Sequence, residues 1–150
     1  MIKNSLINGT IHILLVEDSE SDARLIKEFL KEADVDHVLY VVDDGVNALK
    51  FVQTHCKPAT NYCPDIIILD LNLPRMNGID VLKEIKSNKN LKRIPVIVLT
   101  TSTSTEDIED CYNNYANCYL VKPSNLADFE TIMDTLKEFW FNMTNLPKQN

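Results

Sequence analysis

Five short apolar runs recur along the chain, at residues 11–16, 38–42, 66–69, 96–99 and 119–121. They are dense in Val, Ile and Leu with little polar alternation, the pattern of strands covered on both faces of a parallel sheet. Between and after them the apolar period changes to that of a helix. Ala23, Ile26, Phe29, Leu30 and Ala33 fall on one face of the first helical stretch, and Phe129, Ile132, Met133, Leu136 and Trp140 on one face of the last. Residues 49–52, 81–85 and 108–115 supply the shorter amphipathic segments. Boundary residues agree: Ser19 or Ser21 before the first helix, Asp44-Gly45 before the second, Asn77-Gly78 before the third, and Thr103 with Glu106 as a capping box for the fourth. Strand and helix therefore alternate five times, and right-handed crossovers give an α/β doubly wound sheet with helices on both sides.

A length of 150 residues suits one domain with a full core, and the chain shows no internal repeat. Residues 1–10 read as an extension, 11–142 as the domain and 143–150 as a tail, with a polar loop over residues 54–64. The net charge of −7 argues against nucleic acid and anionic membrane as partners, since both require clustered Lys and Arg. No apolar run approaches the ~20 residues needed to cross a bilayer. The amino terminus has no signal-peptide pattern, so a cytoplasmic location is expected. Cys56, Cys63, Cys111 and Cys118 lack zinc-site spacing and are expected to be reduced, mostly structural thiols. His12, His37 and His55 are scattered and suggest no site by themselves.

In open α/β sheets, sites form at the carboxyl ends of the strands, so the residues leaving each run matter most. The first run ends in Glu17-Asp18, the third in Asp70, the fourth in Thr100-Thr101 and the fifth in Lys122-Pro123. Three acids within a few ångströms repel one another unless a cation neutralises them. No His or Cys joins them, so the ligands are hard oxygens, which favours Mg²⁺ over Zn²⁺. A carboxylate beside such an ion can attack a phosphoryl group, with Lys122 and the Thr100 hydroxyl neutralising its oxygens. The expected product is an aspartyl phosphate on Asp70. Asp43 and Asp44 leave an edge strand and read as turn and cap residues.

The segments ILLVEDSESDAR, IIILDLNLPRMNG, PVIVLTTS and YLVKPSN resemble the four signatures of CheY-like response-regulator receiver domains, over roughly residues 11–141. The resemblance implies a flavodoxin-like (βα)₅ sandwich with five parallel strands in the order 2-1-3-4-5. It makes Asp70 the phosphoacceptor and places Mg²⁺ on Asp18, Asp70 and the main-chain carbonyl of Asn72, with Glu17 assisting. Thr100 and Lys122 would contact the phosphoryl oxygens, Lys122-Pro123 would be a cis peptide, and Tyr119 would be the aromatic switch partner of Thr100. The donor would be a sensor histidine kinase, and output would pass through the fourth helix, fifth strand and fifth helix, including self-association into a homodimer. The extended loop before the third strand, LKRIPVIVLTTSTSTEDI and KEFWFNMTNLP are similar to single-domain regulators paired with bacterial phytochrome kinases.

Two further readings stand beside this one. An Asp-nucleophile phosphatase would need a second acid two residues after Asp70, where this chain has Asn72. A flavodoxin-like cofactor binder would need a phosphate cradle after the first strand, where this chain has the acidic Glu17-Asp18-Ser19-Glu20. On the last helix, Phe141 lies about 100° from Trp140 on an ideal α-helix. That places it on the solvent side and predicts a contact with another chain.

Overall fold

The computed structural model describes residues 9–58 and 62–147, so most of the amino-terminal extension and the last three residues of the tail lie outside the described residues. The strands are β1 (Ile11–Val16), β2 (His37–Val42), β3 (Ile66–Leu69), β4 (Val96–Thr100) and β5 (Cys118–Val121). The helices are α1 (Glu20–Lys31), α2 (Gly45–His55), α3 (Gly78–Ser87), α4 (Thr105–Asn113) and α5 (Leu126–Leu136), the last continuing as a π-helical segment (Lys137–Met143). All five strands are parallel in the order β2-β1-β3-β4-β5, the arrangement expected from the sequence.

Strand alternation divides the core into two layers. Ile11, Ile13 and Leu15 of β1, with Ile66, Ile68, Ile97 and Leu99, face α1 and α5. Leu14 and Val16, with Ile67, Leu69, Val96 and Val98, face the other way, toward α2, α3 and α4. Every residue of β3 and β4 is buried, which is why these runs carry no polar alternation.

The caps follow the polar residues ahead of each helix, with one difference from expectation. The side chains of Ser19, Asp44, Asn77 and Asn125 accept from main-chain amides of α1, α2, α3 and α5. The α4 cap is Ser104, accepting from Asp107, rather than Thr103 with Glu106. The Ser102 hydroxyl donates to Asp107, a bond that holds the carboxylate of this first-turn residue to the β4–α4 loop. Gly78 is needed for a close approach: a Cβ there would sit 2.2 Å from the main-chain oxygen of Asp70.

Two other sequence expectations are corrected. Phe141 is only 1% exposed, while Phe139 is 51% exposed. The i→i+5 bonding of the π-helical segment, seen where the Thr144 amide meets the Phe139 carbonyl at 2.9 Å, puts a residue five positions on about one turn away. Phe141 thus returns to the face of buried Leu136 and joins the α1–α5 core, and Trp140 is half-buried beside it. Cys56 and Cys63 are joined in a disulfide rather than reduced, because the α2–β3 connection brings their Cα atoms to 4.4 Å. Cys111 and Cys118 remain thiols, and burial pushes Cys111 up to about 11.

Candidate functional site

The carboxyl ends of β1, β3, β4 and β5 converge, and each delivers the polar residue that ends its apolar run. Hydrogen bonds from the Asp70 amide to the Val16 carbonyl (3.0 Å) and from the Lys122 amide to the Thr100 carbonyl (2.7 Å) continue the ladders past the strands. They bring Asp70 beside Glu17 and Lys122 beside Thr100. Glu17, Asp70, Thr100 and Lys122 are buried, at 3%, 6%, 0% and 7% exposure, and the charges of Glu17, Asp70 and Lys122 meet one another instead of bulk water. Asp18 is exposed at the rim.

Glu17, Asp18 and Asp70 each offer a carboxylate oxygen, and these oxygens lie within 4.8 Å of one another. The Lys122 ammonium projects into the same space. It donates to Glu17 Oε1, to Asp22 Oδ2 at 3.0 Å and to Asp70 Oδ2 at 3.3 Å. The other Asp70 oxygen, Oδ1, accepts from the Leu71 amide at 2.7 Å and the Asn72 amide at 3.4 Å. Glu17 Oε2 accepts from the Ser19 amide at 3.1 Å.

The electrostatics match this crowding. Burial pushes the Glu17 carboxyl up to about 7, the bond from Lys122 opposes the shift, and the Asp70 charge adds to it. Burial alone would lower the Lys122 ammonium. Its bonds to Glu17 and Asp22, with the Glu17 and Asp70 charges, carry it above the ordinary lysine value. One ammonium thus faces four carboxylates when Asp18 is counted, and the pocket has capacity for a further cation. An all-oxygen set of this kind fits a hard divalent ion.

Thr100 Oγ1 accepts from the Ser102 amide at 3.5 Å, and the Tyr119 hydroxyl donates to the Ser102 carbonyl at 2.9 Å. Thr101 is exposed and lines a cleft with Lys122, Pro123 and Asp22. The Lys122–Pro123 peptide is trans, as are all peptide bonds among the described residues. This corrects the cis expectation: Lys122 reaches its acids from the ordinary isomer, which an X–Pro bond prefers by ~0.5–1 kcal/mol. Asp44 is the α2 cap, bound also by Arg75, and Asp43 is exposed, so neither joins the cluster.

Sequence reasoning missed Asp22. It sits in the first turn of α1, where an acid ordinarily complements the helix dipole. Its position one turn beyond Asp18 is the signal that could have found it.

The response regulator receiver domain family matches residues 13–134. This chain belongs to that family. The response regulator Rcp1 of Synechocystis sp. is 45% identical over 135 residues, covering 90% of this chain and 92% of Rcp1. A crystal structure of Rcp1 in its Mn²⁺-bound form superposes with a TM-score of 0.85 at 43% identity, covering 92% of this chain and 99% of that one. The structure of the phosphorylated cyanobacterial phytochrome response regulator RcpA gives 0.87 at 42% identity, covering 93% and 100%. This receiver is accordingly a phosphoacceptor signalling protein with the CheY-like fold. Receiver domains bind a divalent metal, and an acidic cluster able to hold one is present here. Among the described residues no helix is long and apolar enough to cross a membrane.

Proposed function

We propose that Asp70 is the phosphoacceptor, loaded from a sensor histidine kinase in an Mg²⁺-dependent transfer. The observation that carries this reading is Asp70 itself, buried between Lys122 on one oxygen and the Leu71 amide on the other, within 4.8 Å of the Glu17 and Asp18 oxygens. A carboxylate so held has lost its rotational freedom, and phosphoryl transfer needs mainly alignment and charge neutralisation.

The Asp70 carboxylate attacks the phosphorus, the bond to the donor's imidazole nitrogen breaks, and an acyl phosphate forms. Asp18, Asp70 and the Asn72 carbonyl, with help from Glu17, would hold Mg²⁺, and the bound ion would supply positive charge to the phosphoryl oxygens. Lys122, bonded to Asp70 Oδ2, offers a second positive charge, and the Thr100 hydroxyl a neutral donor. Asn72 stands where a phosphatase would place its general acid, so turnover is confined to the chain's own phosphorylation and dephosphorylation.

Thr100 and Tyr119 form the switch pair. A phosphoryl group that draws the Thr100 hydroxyl inward competes with its bond to Ser102, whose carbonyl holds Tyr119. The conformational equilibrium then shifts on the face built by α4, β5 and α5, and changes contacts with partners, including a second copy of this chain. The likeness to phytochrome response regulators supports a phytochrome-type kinase as donor, and a cytoplasmic setting. Incubation with acetyl phosphate and Mg²⁺ tests the reading. Intact mass should rise by one phosphoryl group in wild type and not in Asp70→Asn; equal uptake by both proteins contradicts it.

A further inference from the structure

Five rings form a layer at the end of the sheet opposite Asp70. His12 of β1 stacks on Tyr40 of β2, with ring centroids 5.9 Å apart, and its Nδ1 lies 3.0 Å from the Tyr40 hydroxyl. Phe51 of α2 packs on Tyr40 at 5.0 Å and on His55 at 4.3 Å. Tyr62 closes the layer, edge-on to His12 at 6.3 Å and to His55 at 6.2 Å, while remaining 55% exposed. The next residue after Tyr62 is Cys63, and the residue after His55 is Cys56. The disulfide between them therefore ties the loop member of the layer to the helical members.

Both cysteines are positioned by more than the bond. The Cys56 amide donates to the Val52 carbonyl at 2.9 Å as the cap of α2. Cys63 is 6% exposed in the α2–α3 core layer. Two residues later, Asp65 exchanges bonds with the main chain of His12, through its amide at 2.7 Å and its carboxylate at 2.8 Å. The thiols of an opened pair would remain near each other, so closure needs no refolding.

We propose that Cys56 and Cys63 are a reversible redox site, opened by dithiol reductants, that governs the order of this aromatic surface independently of phosphorylation. A reductant thiolate attacks the Cys56 sulfur, on the less buried of the two residues. The Cys56–Cys63 bond breaks, and Cys63 departs as a thiolate that takes up a proton. The second thiolate of the reductant then attacks its own sulfur in the mixed disulfide, releasing Cys56, which is also protonated. Two electrons pass to the protein, and the dithiol becomes a disulfide. Oxidised glutathione closes the bond again: one cysteine thiolate takes a glutathione from it, the other cysteine displaces that glutathione, and two reduced glutathiones are released.

The test equilibrates the full chain in glutathione buffers of graded redox ratio, alkylates with iodoacetamide, and maps the labels by mass spectrometry. Hydrogen exchange is then followed in dithiothreitol and in oxidised glutathione. Reduction should add labels at Cys56 and Cys63, and should speed exchange several-fold at the ends of α2 and β2 while leaving β3 and β4 unchanged. The Cys56→Ser/Cys63→Ser chain should show the reduced pattern in both buffers. Acetyl phosphate uptake should be equal in the two redox states. Failure of the bond to form in oxidised glutathione overturns the proposal, as does exchange that ignores the redox state. Phosphoryl uptake that depends on the bond overturns the claimed independence, whereas absence of uptake in both states bears on Asp70 alone.

Discussion

The Tyr119 hydroxyl donates to the main-chain carbonyl of Ser102 across 2.9 Å, and the amide of the same Ser102 lies 3.5 Å from the Thr100 hydroxyl oxygen. One loop residue therefore touches both members of the switch pair. Tyr119→Phe deletes the first contact and keeps the ring. It should cost about 1 kcal/mol in urea unfolding, the ordinary worth of such a bond. Acetyl phosphate uptake should be retained, because the hydroxyl that is removed bonds Ser102 and not Asp70. An unchanged unfolding midpoint contradicts the link.

Lys122 is the only cation bonded to the Asp70 cluster among the described residues, with partners Glu17, Asp22 and Asp70. Lys122→Met leaves two buried acids without it, and removing one partner of a buried ionic group costs ~3–5 kcal/mol. In EDTA the variant should melt well below wild type. Added Mg²⁺ should raise its melting temperature more than it raises that of wild type, because the ion then meets an uncompensated site. Equal Mg²⁺ shifts in the two proteins contradict a shared pocket.

Phe141 and Phe139 separate the π-helical geometry from an ideal α-helix. Phe141→Ala should cost ~3–5 kcal/mol, as for a large buried aromatic side chain. Phe139→Ala, at a half-exposed ring, should cost far less. The opposite ranking in urea denaturation would restore the α-helical phase.

Lys86 gives a pH dependence away from the acidic cluster. Its ammonium donates to the carbonyls of Lys92 and Ile94 and to Asn117 Oδ1, and burial holds it down to about 8. The unfolded chain keeps that proton up to the usual lysine value of ~10.4. Between these pH values the unfolded state binds more protons, so folding stability rises with pH. The contribution is absent below about 8 and complete only above the unfolded value. Relative to Lys86→Met, wild type should therefore gain urea resistance between pH 7 and pH 10. A constant difference between the two proteins contradicts the shift.

What the sequence disclosed follows from where information concentrates. The strand ends were legible because a parallel sheet buried on both faces forces unbroken apolar runs, so Glu17, Asp70, Thr100 and Lys122 stand out as the first polar residues after them. Asp22 was not, since its link to Lys122 spans 100 residues and its place in a helix has a sufficient local reason. Phe141 was misplaced because its phase depends on a change of helical winding that apolar periodicity does not announce. The spacing of Cys56 and Cys63 does not announce their pairing, which rests on how the α2–β3 connection folds back. The Lys122–Pro123 isomer followed the resemblance rather than any property of the two residues.

The attachment point of the phosphoryl group is the quantity on which the account rests. Wild type loaded with acetyl phosphate and Mg²⁺ can be reduced with borohydride, which converts an aspartyl phosphate to homoserine, and then digested and sequenced by tandem mass spectrometry. Homoserine should appear at position 70, in samples loaded with Mg²⁺ and not in EDTA controls. Homoserine at Asp18 or another acid, or at no position despite a phosphoryl mass gain, would contradict it.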